Sequence, residues 1–349
     1  MRALTVLGLS FLATSACSKI LDIDGDVTLR DPLDASETDA PIDGPPLPFQ
    51  SCASLGATCG ANSNVNCCQT VTIPGTVAGM PFYRSYDESI DNYNDMSFPA
   101  TLTSFAMDTY EVTVGRFRAF VNAGKGTQQD PPAEGAGAHP KLPNSGWSST
   151  WNTNLPVNKS ALITAIKCNQ TNWTDAVGAN ENKPMNCVNW YEAMAFCIAD
   201  GGYLPTEAEW NYVASGGREQ RSYPWSTPAS STAIDCTRAN YKIDMPTGMH
   251  CVNGATGGTN QVGSESPTGD GRWGHADLAG NVWEWTLDYF TTAYLMPCDD
   301  CANLMPGTSR VLRGGGYFVI ASSLRTAYRG FLSPANRDAG FGIRCARNP

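Results

Sequence analysis

Thirteen cysteines in 349 residues constrain this chain more than any other feature. The cytosol keeps thiols reduced, so such a number belongs to an exported chain in which disulfides hold segments that a hydrophobic core does not. Thirty-four glycines and 23 prolines agree, because they break helices and strands into short pieces. The first residues supply the route of export. "MRALTVLGLSFLATSAC" has one arginine, a short apolar run and then small residues before Cys17. The run is too short for a bilayer core, which takes about 20 apolar residues. Residues 1–17 read as a signal peptide.

Thr14-Ser15-Ala16-Cys17 has the form of a bacterial lipobox, with threonine where an aliphatic residue is usual. Cys17 is then the lipidated mature N-terminus, and twelve cysteines remain, an even number. Ser18 in place of aspartate after it points to the outer membrane. The alternative is cleavage after Ala16 and secretion. Residues 18–51 carry eight acids and two bases, with prolines and little to bury. They read as a disordered tether. That tether holds most of the formal net charge of −10, so the rest is nearly balanced. No basic stripe exists for phosphate, which excludes a nucleic-acid partner. The expected location is the cell envelope, lipid-anchored or secreted.

Residues 52–70 hold Cys52, Cys59, Cys67 and Cys68 in a Gly/Asn/Ser-rich setting. They read as a small module stapled by two bridges, Cys67 and Cys68 each reaching back to Cys52 or Cys59. Zinc is disfavoured, because the spacing lacks paired Cys-x₂₋₄-Cys and no histidine is near. In residues 71–349, three segments have helical periodicity. In 111–124, Val114, Phe117, Phe120 and Val121 share a face before Gly124. In 189–202, Asn189 and Glu192 form a near capping box, and in 205–217 Thr206 and Glu209 form a full one. Past residue 218 the chain is irregular.

"DLAGNVWEW" (277–285) sets Asp277 and Glu284 beside Trp283 and Trp285. Tryptophan favours burial, a buried carboxylate needs a partner, and the stretch contains no lysine or arginine. A bound cation is one answer. Carboxylates solvated at a loop surface are the other.

"FAMDTYEVTVGRFRAFV", "LPTEAEW", "GNVWEW", "RVLRGGGYF" and "GIRCAR" occur together in the order and spacing of the formylglycine-generating enzymes, the sulfatase-modifying factor family. The chain resembles that family over residues ~71–349. The resemblance implies an α+β, C-type-lectin-like fold with few regular elements. It implies a structural calcium ion held by Asp277, the carbonyls of Gly280 and Val282, and Glu284, which are oxygen donors of the kind calcium takes. A second family calcium site would begin at Asn240 and Tyr241, but its expected downstream aspartate is missing. Cys197 and Cys345 match a family disulfide. Cys168 with Cys187, and Cys236 with Cys251, are plausible local pairs. Cys298 and Cys301 form a Cys-x₂-Cys; in an exported chain without a second such pair, a local bridge is expected rather than zinc or redox chemistry.

The family's oxidases bind copper through two cysteines a few residues past the "RGG" turn. Counting along "RGGGYFVIASSLRTAYRG", Val319 and Leu324 occupy those positions, and Gly316 stands where serine is usual. Val and Leu cannot bind copper, so copper is not expected. Arg325, Tyr328 and Arg329 would line the same groove, for an anionic ligand or as plain surface arginines. His139, His250 and His275 are too widely spaced for the three-histidine iron site of other relatives. The expectation is a binding or interaction domain with an unknown protein, peptide or small-molecule ligand and a lipid-mediated membrane contact. The alternative is an enzyme of the same oxidoreductase family, or a relative acting on a secondary metabolite through other residues.

Overall fold

The computed structural model describes residues 50–349 apart from 54 and 244–247. The expected signal peptide, Cys17 and almost all of the tether lie outside the described residues. Eleven short strands and four α-helices are spread along the described chain: β1 (Ala57–Cys59), β2 (Val65–Asn66), β3 (Thr70–Ile73), β4 (Phe82–Tyr83), β5 (Pro99–Ala100), β6 (Phe105–Asp108), α1 (Val114–Asn122), α2 (Lys159–Ala165), α3 (Trp190–Ala199), α4 (Glu207–Ala214), β7 (Trp283–Tyr289), β8 (Arg310–Arg313), β9 (Gly330–Leu332), β10 (Phe341–Gly342) and β11 (Ala346–Arg347). This is an α+β architecture with long irregular connections.

The largest sheet runs β10-β7-β8-β9, parallel between β10 and β7 and antiparallel elsewhere. Its centre is β7, "WEWTLDY", buried nearly throughout. Alternation sends Trp283, Trp285 and Leu287 into the main core with Phe117, Phe196 and Trp190. The intervening residues face α4 and are polar, and α4 meets them. The Trp210 indole N–H donates to Glu284 (2.6 Å) and the Glu207 amide to Asp288 (2.7 Å).

Caps explain where the helices begin. Asn189 with Glu192, and Thr206 with Glu209, complete reciprocal capping boxes on α3 and α4. The segment expected to be helical from 111 starts at Val114, because Thr113 caps it by accepting from the Arg116 amide. Helix α2 was not expected: it has seven residues and buries only Leu162, too little periodicity to read.

Six disulfides are present: Cys52–Cys68, Cys59–Cys67, Cys168–Cys187, Cys197–Cys345, Cys236–Cys251 and Cys298–Cys301. The bridge Cys197–Cys345 ties α3 to the residue before β11 across 148 positions. The cysteine-rich stretch has the two bridges expected at 52–70, Cys67 and Cys68 each reaching back, and it also packs against the rest of the domain. The Ser51 amide donates to Asp200 (3.2 Å), and Arg116 donates to the Ser51 hydroxyl and the Cys67 carbonyl. Cys59 and Cys67 pack with Tyr110, Val262 and Ala276, and β3 pairs with β6 in the sheet β11-β6-β3. Two bridges could not bury this stretch alone, so it borrows the domain's core.

Candidate functional site

The turn 277–282 is shaped by three residues with positive φ: Asp277 (58°), Gly280 (93°) and Asn281 (58°). A Cβ on Gly280 would sit 2.5 Å from the Asn240 carbonyl oxygen, so only glycine fits there. The turn leads into Glu284, which is fully buried. Arg344 answers its charge. The guanidinium donates to both carboxylate oxygens at 2.7–3.0 Å, and spends its other N–H groups on the carbonyls of Asp108, Thr109 and Ala276. With the Trp210 indole also donating, Glu284 is satisfied without an ion. The cation absent from "DLAGNVWEW" comes from "GIRCAR", sixty residues along. The pairing was not readable in sequence, although both motifs were.

Asp277 is placed differently. It accepts from the Gly263 amide (2.6 Å) and lies against Glu265. Burial, and then the Glu265 charge, push its pKa up to about 8. Burial raises Glu265 also. Glu111 is a third buried acid here, raised by burial and then by Asp277 and Glu284. It accepts from the Val282 amide (3.1 Å) and the Asn281 side chain (2.6 Å). Glu284, Glu111 and Asp277 thus share one guanidinium, Arg344, and Glu265 adds a fourth acid against Asp277. Acidic side chains outnumber the cation here, and two buried oxygens beside them, Glu265 Oε2 and Asn240 Oδ1, have no hydrogen-bond partner. Asn281 joins them: its side-chain oxygen accepts from Asn240 (3.3 Å) and from the amide of Asn260 (2.9 Å), whose side chain donates to Glu265 (2.9 Å). These donors are the hard oxygens a calcium ion takes, although no three acidic, histidine or cysteine side chains among the described residues converge as a finished ligand set. The Tyr241 carbonyl accepts from the Cys251 amide (3.0 Å), so that member of the second expected calcium site is engaged.

The neighbouring turn, 314–329, is closed. Val319 is half-buried and packs against two apolar clusters, and Leu324 is completely buried. A Cβ on Gly315 would meet Leu324 Cδ1 at 2.9 Å. The arginines expected to line an anion-binding groove are already paired. Arg325 reaches Asp87 (2.8 Å), and Arg329 holds Glu207 with two N–H groups (2.6 and 2.7 Å). The Tyr328 ring lies 5.9 Å from Trp283. The anionic-ligand expectation for Arg325, Tyr328 and Arg329 is therefore corrected: internal carboxylates neutralise both guanidinium groups. Glu207 also meets Arg313 (3.1 Å). Burial alone would raise its pKa, but Arg329 and Arg313 hold it below the usual carboxylate range. The cavities of about 380 and 230 Å³ lie elsewhere, beside Met80, Tyr83 and Arg218 and beside Phe120, Pro131 and Ile198.

The three histidines have separate surroundings. His139 contacts Glu209 (3.2 Å) and His250 the Gly254 carbonyl (2.9 Å). His275 is buried, and burial, then Arg344, hold its pKa at about 3.

The sulfatase-modifying factor enzyme 1-like domain matches residues 58–349. The formylglycine-generating enzyme of Streptomyces coelicolor is 35% identical over 48% of this chain and 53% of that enzyme. The inactive C-alpha-formylglycine-generating enzyme 2 of Bos taurus is 30% identical over 47% of this chain and 50% of that protein. The chain thus spans about half the length of both relatives. The solved structure of PvdO from Pseudomonas aeruginosa superposes with a TM-score of 0.55 at 18% identity, covering 80% of this chain and 94% of that one; that likeness speaks to fold alone.

Proposed function

This chain belongs to the sulfatase-modifying factor enzyme 1-like domain family, and on that premise we propose that it uses the family scaffold as an extracytoplasmic binding domain rather than as a copper oxidase. The observation that carries the reading is the packing of Val319 and Leu324. They stand where the family resemblance implies the copper cysteines, and all twelve cysteines from Cys52 onward are in disulfides. A thiolate pair selects monovalent copper, and aliphatic side chains offer it no donor. A bovine relative named inactive supports the idea that the domain is used without the activity. The six disulfides support export. Lipidation at Cys17, and with it the outer membrane, is part of the same proposal.

Calcium belongs to it as well, as a structural ion. Asp277 and Glu265 would hold it, with the Asn240 side-chain oxygen, and the carbonyls of Gly280 and Val282 are the further candidates on the turn. Its chemistry there is neutralisation of the acid excess. Glu284, held by Arg344 and Trp210, serves this turn as its anchor.

The test is a competition titration of the purified domain with a chromophoric monovalent-copper chelator. The reading expects the chelator to keep its copper. Stoichiometric loss of copper to the folded protein would restore the oxidase reading.

A further inference from the structure

The disulfide Cys298–Cys301 differs from the other five. Those span 8 to 148 residues, and this one spans three. Closing so short a loop removes little entropy from the unfolded chain, and the loop is held independently of its sulfurs. The Thr101 amide donates to the Cys298 carbonyl (3.0 Å) and the Asp300 amide to the Thr101 carbonyl (2.9 Å). Asp300 and Asp299 accept from the Thr103 amide and the Thr101 hydroxyl, both at 2.7 Å. Breaking the S–S bond would leave these contacts in place.

A buried cation waits beside the bridge. Arg84 is 4% exposed and donates to Cys301 Sγ at 3.3 Å. Its other partners are the Leu295 carbonyl, the Met296 thioether and the face of Tyr294. Its Nε has no partner, and no carboxylate forms an ion pair with it among the described residues. Glu207 and Asp288 act on it only through space, and a thiolate at Cys301 would give this guanidinium a direct anionic partner. A cationic neighbour stabilises thiolate over thiol, and a disulfide whose reduced form is stabilised becomes a stronger oxidant. Cys301 is half-buried, and Leu295 and Met296, 39% and 47% exposed, give the site an apolar margin on which a peptide can rest.

We propose that Cys298–Cys301 is an exchangeable disulfide that oxidises paired thiols of a polypeptide, with Arg84 stabilising Cys301 as a thiolate in the reduced form. A substrate thiolate forms a mixed disulfide with one protein sulfur and releases the other. The second substrate thiolate then displaces the remaining protein sulfur. The substrate loses two electrons and two protons in becoming a disulfide. The Cys298–Cys301 bond takes up both electrons; one proton goes to Cys298 and one to solvent.

The experiment equilibrates the full oxidised chain with graded ratios of reduced to oxidised glutathione, and in a second arm with a peptide carrying two cysteines. Thiols are trapped by alkylation and assigned by peptide mapping. We expect Cys298–Cys301 to be half-reduced at a thiol-to-disulfide ratio at least tenfold below that of the other bridges, in a chain whose circular dichroism is unchanged. The peptide should be oxidised more readily than glutathione. Arg84→Gln should move the midpoint about tenfold toward stronger reductant, and Arg84→Lys should keep most of the effect. Reduction of all six bridges together would overturn the proposal, as would an unmoved midpoint in a folded Arg84→Gln. Oxidation of glutathione alone would overturn the polypeptide substrate. Should Arg84→Gln not fold, the wild-type alkylation profile decides: half-maximal labelling of reduced Cys301 at or above pH about 8.5, the ordinary thiol value, contradicts a stabilised thiolate beside Asp299 and Asp300.

Discussion

Two adjacent turns of this domain have opposite chemistry. The turn 277–282 and the turn 314–329 are joined by backbone bonds, Gly280 to Gly314 at 3.0 Å and Tyr317 to Asn281 at 2.9 Å, and they flank the paired strands β7 and β8. The first gathers more buried carboxylates than Arg344 can neutralise. The second presents Val319 and Leu324 to apolar neighbours. The contrast separates two uses of polar residues. Glu284 and Arg344 join the end of the 277–282 turn to the C-terminal segment, so neither can be removed without leaving a buried charge. Residues 319 and 324 carry no such duty, and apolar side chains fill their space.

The largest effect should come from breaking the polar turn at its one cation. Arg344→Met leaves Glu284 buried without its partner and should cost about 3–5 kcal/mol, measured by denaturant unfolding; a loss below 1 kcal/mol would mean that Glu284 is neutralised some other way.

Calcium sharpens the same contrast. Binding at about a hundredfold over its dissociation constant adds about 2.7 kcal/mol, so the melting temperature should rise with calcium and fall with chelator. Without calcium, Asp277 titrates at about 8 in the folded chain, against about 3.9 when unfolded. The folded state therefore holds a proton that the unfolded chain has lost. This contribution is fully present below pH about 4 and is lost as pH rises toward 8. Asp277→Asn should abolish both the calcium dependence and that slope. Melting curves that are independent of calcium in the wild type would remove the ion from the account.

The smallest effect belongs to the apolar turn. Leu324→Cys trims a completely buried side chain and should cost about 1–3 kcal/mol, with no change in calcium dependence. A calcium response altered by that substitution would show the two turns to be one site.

Much of the scaffold was legible because its signals are local. Asn189 with Glu192, and Thr206 with Glu209, sit within one helical turn, and "GNVWEW" carries its own turn. What stayed hidden is long-range. Arg344 reaches Glu284 across 60 residues and Glu111 reaches Val282 across 171, and no periodicity records such pairs. Arg325 and Arg329 read as a groove for the same reason, since Asp87 and Glu207 lie more than a hundred positions away.

The most direct test of the central claim is catalytic. The purified wild-type domain is incubated with monovalent copper, oxygen and a cysteine-containing sulfatase peptide, and the peptide is weighed by mass spectrometry. The account predicts that the peptide keeps its sulfur. Conversion of the cysteine to an aldehyde at a catalytic rate would contradict it.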